Sequence, residues 1–171
     1  MQKNITLTVG FKGGQSMNGV AMYDNNSGIR TIGGIVSDLN TVDAKFGLAV
    51  VAASATPAQF IVGQSVVVTL PKYRGILLGN SGIRENMPAR NDSYLRGTPA
   101  TACYFGVLWF DAITREDLST APVIGDLLSY QNTTGRICTR TAAAGGGFTA
   151  IPGSVVEIID GSVAIQLTGL V

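Results

Sequence analysis

The segment Val155-Val156-Glu157-Ile158-Ile159-Asp160-Gly161-Ser162-Val163-Ala164-Ile165-Gln166-Leu167 constrains the fold more than any other part of the chain. Two apolar runs rich in β-branched residues are joined by Asp-Gly, the dipeptide that supplies the positive φ values of a two-residue type I′ turn. The spacing predicts a β-hairpin with Val163, Ile165 and Leu167 on one buried face. Val155 to Ile159 alternates less cleanly and is expected to be covered on both sides. Just upstream, Ala142-Ala143-Ala144-Gly145-Gly146-Gly147 reads as a linker or long turn, so the hairpin is expected to dock independently of the strands before it.

The rest of the chain follows the same pattern. Apolar residues come in short β-branched or alternating runs separated by Gly, Pro, Asn and Asp, and helical periodicity is almost absent. Phe46 to Ala53 reads as a buried strand, followed by strands at Gln59 to Val62 and Ser65 to Leu70 joined at Gly63. Pro71 has no N–H to donate and is expected to end the second of these. Thr101 to Phe110 is the longest apolar run, while Val123 to Tyr130 and Gly135 to Thr141 flank Gln131-Asn132-Thr133-Thr134 as a second hairpin. Thr41 to Leu48 and the polar stretch Asp111 to Thr120, closed by Pro122, are the nearest approaches to helix. Together these predict an all-β domain, a β-sandwich or jelly-roll-like barrel, over residues 41–171. Residues 1–40 are rich in Gly, Asn and Ser, with brief apolar stretches at Ile5 to Val9, Val20 to Tyr23 and Ile29 to Val36. They read either as strands of low intrinsic stability or as an extended N-terminal arm that orders against another subunit.

Charged residues make up 13% of the 171 residues and apolar ones 46%, with 22 glycines and a net charge of +1. Such a surface has little charge to solvate it, so much of it is expected to meet protein. No block of like charge occurs, which argues against nucleic acid or an anionic membrane as the partner. No segment approaches the length of a membrane span, and the N-terminus lacks the apolar core of a secretory signal, so synthesis in a cytoplasm is expected. Cys103 and Cys138 lie in apolar, strand-like runs and are expected to be reduced and buried.

The chain has no histidine. This removes the commonest general base near neutral pH and the commonest metal ligand, and with them Ser-His and Cys-His mechanisms. The two cysteines have no Cys-x-x-Cys neighbour, and no phosphate-cradling glycine motif occurs, so neither metal nor cofactor is expected. Glu116 with Asp117, and Glu85 with Asp92, are the acid pairs that could be weighed for hydrolysis, but adjacent or loop acids read as solvated turns. The chain therefore does not read as an enzyme. From Asn80 to Pro99 apolar periodicity is lost, and an irregular excursion of that length inside a compact domain points to binding. Arg74, Arg84, Arg90 and Arg96, with Tyr73 and Tyr94, recur around it, and arginine with tyrosine is the composition of interface anchors. The plainer reading is that these arginines pair with Glu85 and Asp92 and keep the loop soluble.

The stretch Tyr73 to Phe110, YRGILLGNSGIRENMPARNDSYLRGTPATACYFGVLWF, resembles the central segment of tailed-phage capsid cement proteins. The similar pieces are the run Gly75 to Gly79, the turn Tyr94-x-x-Gly97-x-Pro99-Ala100, and the strand carrying Trp109. The resemblance implies a virion protein on the capsid exterior that bridges subunits of the major capsid protein and associates with its own copies as a dimer or trimer. It carries over no catalytic residues. On this reading Arg74, Arg84, Arg90, Tyr94 and Arg96 are the capsid contacts. A head-fibre base or tail-tube protein is the alternative within the virion. Outside it, the alternative is a β-barrel binding a small apolar ligand against Trp109 and Phe110.

Overall fold

The computed structural model describes residues 20–21, 28–78, 93–113, 115, 121–140 and 146–170. Among them the chain forms twelve strands and no helix. They are β1 (Val20–Ala21), β2 (Arg30–Val36), β3 (Ala44–Lys45), β4 (Ala49–Ala53), β5 (Gln59–Val62), β6 (Pro71–Leu77), β7 (Ser93–Tyr94), β8 (Pro99–Phe110), β9 (Leu127–Gln131), β10 (Ile137–Arg140), β11 (Phe148–Ile159) and β12 (Ser162–Thr168).

Five of these close on themselves. β8 pairs with β2, β2 runs parallel to β5, β5 pairs with β4, β4 with β6, and β6 returns to β8. The product is a small barrel with no free edge among these strands. The second half of β8 pairs instead with β12, from which β11, β9 and β10 extend as an antiparallel sheet. The all-β expectation is met in this form, a closed barrel with a sheet laid against it.

One strand serves both layers because it is bulged. Arg30 faces Phe105 while Thr31 faces Cys103, so Tyr104 is an extra residue that shifts the alternation of β8. Before the bulge Ala100 and Ala102 point into the barrel, and after it Leu108 and Phe110 point into the space beneath the sheet. Two apolar clusters follow. The barrel interior holds Val36, Val50, Phe60, Val62, Leu77 and Ala102, with the Phe60 ring occupying the space that a side chain at Gly34 would need. Between barrel and sheet lie Val51, Ile61, Tyr73, Ile76, Leu108, Leu128, Tyr130, Ile151 and Ile165, among others. Consecutive residues of β4 and β5 go to different clusters, which is why Phe46 to Ala53 reads as continuously apolar. Phe110 packs in the cluster between the layers, not in the barrel interior as the ligand-binding alternative requires.

The turn between β9 and β10 locks the sheet to the barrel. Ala49 N–H donates to Gly135 O at 2.8 Å and Gln64 N–H to Asn132 O at 2.6 Å. A Cβ at Gly135 would stand 2.8 Å from Val62 Cγ1 and 2.9 Å from Ala49 O, and its φ is +70°, so glycine is required there. Asn40 fastens the barrel end: its Nδ2 donates to Ser37 O (2.9 Å) and Phe60 O (3.0 Å), and its Oδ1 accepts from Val62 N–H (2.7 Å).

Several local expectations hold. β5 spans the expected residues, β9 and β10 form the second hairpin, and the β11–β12 turn has φ of 48° at Asp160 and 84° at Gly161, as type I′ demands. Cys103 and Cys138 are free and buried.

Others are corrected. The C-terminal hairpin does not dock independently, because β11 is laddered to β9 as well as to β12. Ser65 to Leu70 enters no ladder, and Pro71 begins a strand, since the first position of a strand can spare its N–H. Thr41 to Leu48 is turn and short strand, not helix; of Asp111 to Thr120, the described part is a bend, two irregular residues and one bridge from Arg115 to Thr139. Within the stretch Ile29 to Val36, read above as weak strand or arm, Arg30 to Val36 takes the strand alternative and forms a wall of the barrel.

Candidate partner-binding surface

Of the five candidate contact residues, Arg84 and Arg90 lie outside the described residues, as do the acids Glu85, Asp92, Glu116 and Asp117. The other three take different positions. Arg74 is the extra residue of a bulge in β6, where Val50 faces Gly75 and Val51 faces Tyr73, and it is half-buried with its Nε unpartnered. Arg96 lies three residues before β8 and is exposed. Arg74 sits near the level of the β8 bulge, so about 20 Å of strand, at roughly 3.3 Å per residue, separates the two levels.

Tyr94 is 4% exposed. Its ring meets Phe46 edge-on with centroids 5.3 Å apart, and its hydroxyl donates to Leu78 O at 3.1 Å. Burial pushes this hydroxyl's pKa up. In the isolated chain Tyr94 is thus a core wedge, pinning the place where the chain leaves the barrel at Leu78 to the place where it returns at Ser93. Ser93 beside it is buried as well, and the residues that follow, Leu95 and Arg96, are exposed.

Around Tyr94 the barrel end presents an apolar rim. Leu39 is 70% exposed, Ile35 45% and Leu95 37%. The rim is rigid: Gly97 N–H donates to Val36 O at 2.7 Å, Val36 N–H to Thr98 O at 3.0 Å, and the Ser37–Asn40 turn is closed by Asn40 N–H to Ser37 O at 3.2 Å. Beside it an open cleft is lined by Asp43, Ala44, Tyr94, Leu95 and Arg96. Sequence reading named the cation of this surface and missed its apolar part. The available signal was Leu39 itself, a large apolar residue between Asp38 and Asn40 in a turn, where nothing in the strand pattern calls for one.

A second missed constellation is structural. Asp126 accepts from Arg115 Nε (2.9 Å) and Nη2 (3.1 Å), from Val123 N–H (2.9 Å) and from Thr139 Oγ1 (3.2 Å). Burial disfavours its charge, but the Arg115, Val123 and Thr139 hydrogen bonds outweigh that and hold the carboxyl below its usual range. These residues clasp the segment before β9 to the sheet edge at β10. Among the described residues, no three His, Cys, Asp or Glu side chains gather as a metal site would require, and no helix is long and apolar enough to cross a membrane.

The family described as structural cement protein (E217 gp24/Pam3 gp6) matches residues 2–168 of the chain. No curated protein matches it. A chain from the capsid of Myoviridae phage XM1 superposes with a TM-score of 0.60 at 13% identity, covering 96% of this chain and 98% of that one, a likeness of fold.

Proposed function

Because this chain belongs to the family of phage structural cement proteins, we propose that it binds the outer surface of an assembled capsid and bridges neighbouring major capsid subunits through the barrel end that carries Leu39 and Arg96. The observation behind this choice of face is the exposure of Leu39, Ile35 and Leu95 on a hydrogen-bonded rim beside a cationic side chain. Apolar area covered on such a rim contributes about 25 cal/mol per Å². Little conformational freedom is lost in covering it, because the rim is already fixed. Arg84, Arg90 and Arg96 are the polar contacts of this reading and Tyr94 holds the base of their loop, whereas Arg74, half-buried in the β6 bulge, lies too far along the barrel to share this face.

The role is mechanical, not catalytic. Each copy need bind only weakly, because many copies that each span two subunits oblige the shell to break several contacts before it opens.

Empty shells, incubated with protein and then sedimented, test the reading. Leu39→Ser with Arg96→Ala is expected to release the protein from shells that retain the wild type. Equal retention of the two would remove this face from the function, and failure of the wild type to bind shells would remove the function itself.

A further inference from the structure

On the outer side of the sheet, where β9 begins, four large apolar side chains stand in solvent. Val123 and Ile124 are each more than half exposed, Leu127 nearly half and Val156 about a third. Leu128 and Val155 point into the cluster between the layers, and Leu127 and Val156 beside them are left on the outer side. Residues 123–126 are tied to Val155, the neighbour of Val156: Gly125 N–H donates to Val155 O and Val155 N–H to Asp126 O, both at 2.9 Å. The four side chains therefore form one patch.

The patch is held rigid from beneath. Val123 N–H donates to the Asp126 carboxylate at 2.9 Å and Asp126 N–H to Val123 O at 3.0 Å, which closes the turn, and Gly125 supplies its φ of +92°. Asp126 is held in turn by Arg115 and Thr139. Turns ordinarily show polar residues to water, whereas this one shows valine and isoleucine in a fixed conformation. The charges around it are of both signs: Arg115 and Asp126 neutralise each other, Arg140 pairs with Leu127 on β10, and Glu157 follows Val156. Such a surface suits an apolar, uncharged partner.

Size and position identify that partner. Together the four side chains expose on the order of 300 Å², the scale of a contact patch on a single domain, against roughly 800 Å² per partner in a stable pair of proteins. The patch is too small to hold a second copy in solution, and acts only toward a partner that another contact already keeps close. It also lies far from the Leu39 rim. Leu127 shares a row with Ser154, Gln166 and Val107, while Pro99 pairs with Ile35 of the rim. About 26 Å of β8, at roughly 3.3 Å per residue, separates Val107 from Pro99, with three strand spacings of about 4.8 Å still to cross. On the capsid reading above, we infer that this patch is a second contact face, covered by an apolar, uncharged surface of a second major capsid subunit while the Leu39 rim sits on the first. The barrel end is then one anchor of the bridge and the turn 123–126 the other.

Shells loaded with a Leu39→Cys, Ile124→Cys variant, carrying a benzophenone maleimide on both thiols, test this; native Cys103 and Cys138 are buried and stay unlabelled. Irradiation is expected to give a product of one copy joined to two capsid subunits. Val123→Ser with Ile124→Ser is expected to lower retention on shells about tenfold, while the circular dichroism and the sedimentation of the free protein stay those of the wild type. Retention of the serine variant equal to that of the wild type would overturn the inference and leave the capsid reading standing. So would cross-links from position 124 to a second copy, or doubly labelled copies joined to one capsid subunit only. Failure of the wild type to bind shells would overturn both.

Discussion

Tyr73 and Tyr130 stack with ring centroids 6.4 Å apart and planes 17° from parallel, one ring standing on barrel strand β6 and the other on β9 of the outer sheet. The two layers are joined at this point by a pair of large rings in near-parallel contact. The pair is unequal in its polar atoms. Tyr130 Oη accepts from Gln64 Nε2 at 3.3 Å, whereas the buried Tyr73 hydroxyl has no partner.

Tyr73→Phe is therefore expected to keep the stack and remove a buried unsatisfied group. Urea unfolding is expected to show a variant equal to the wild type or more stable by about 1 kcal/mol. Burial, then the nearby Cys103 and Tyr130, push the Tyr73 pKa well above its ordinary value. The unfolded chain thus ionises first: this contribution to stability is complete below pH about 10 and is lost as pH rises beyond it. Tyr73→Phe is expected to reduce that alkaline loss, measured as the midpoint shift between pH 9 and 11.

At the acid end the sensitive group is Asp126. Its carboxyl is held below the usual range, so its stabilisation is present above the unfolded value near pH 4 and is lost as pH falls through the lower folded value. Asp126→Asn leaves Arg115 without its two-pronged partner and is expected to cost about 2 kcal/mol at neutral pH. It is also expected to flatten the dependence of the unfolding midpoint on pH below 4. An unaltered acid limb in the variant would show that other carboxylates carry the transition.

The barrel interior offers a steric test. A Cβ at Gly34 would lie 2.5 Å from Phe60 Cε1 and Cζ, and Phe60 is fully buried, with no open side toward which to swing. Gly34→Ala is expected to destabilise by about 1–3 kcal/mol. Pairing it with Phe60→Leu is expected to cost less than the sum of the two single changes, because the second makes room for the first.

Shell retention has its own salt signature. If Arg84, Arg90 and Arg96 face acidic groups on the shell, replacing all three by alanine is expected to weaken retention at low salt and to make what remains less salt-dependent, while thermal stability changes by less than about 0.5 kcal/mol. Sedimentation across a salt series checks it. Identical salt curves for the variant and the wild type would exclude these charges from the contact.

What could be read in the sequence was local chemistry. Asp160-Gly161 specifies its turn by two φ angles, and Gln59 to Val62 is bounded on both sides by breakers, so neither depends on a distant partner. Ser65 to Leu70 shows the limit: its composition is that of a strand, but a strand also needs a neighbour, and propensity cannot supply one. Closure of the barrel through the β6–β8 pairing joins residues some 25 apart in the chain, with an irregular excursion between them, and no periodicity encodes that register. Tyr94 illustrates the difficulty for site residues. Its composition-based reading as an anchor does not distinguish a ring that faces a partner from one that faces Phe46, and the structure of the lone chain has the latter.

The bulged strand β8 also determines how this molecule carries a load. The barrel is laddered to its first half and the outer sheet to its second. A pull that drags the barrel end one way along β8 while the sheet is held therefore loads the β8 backbone together with the Ala49–Gly135 and Gln64–Asn132 hydrogen bonds that also join the layers. It strains the flanking rows of hydrogen bonds in shear, all together, instead of unzipping them one at a time. The covalent chain of β8 is the tie rod of the molecule, and its tension is shared out before any one ladder bond bears it alone.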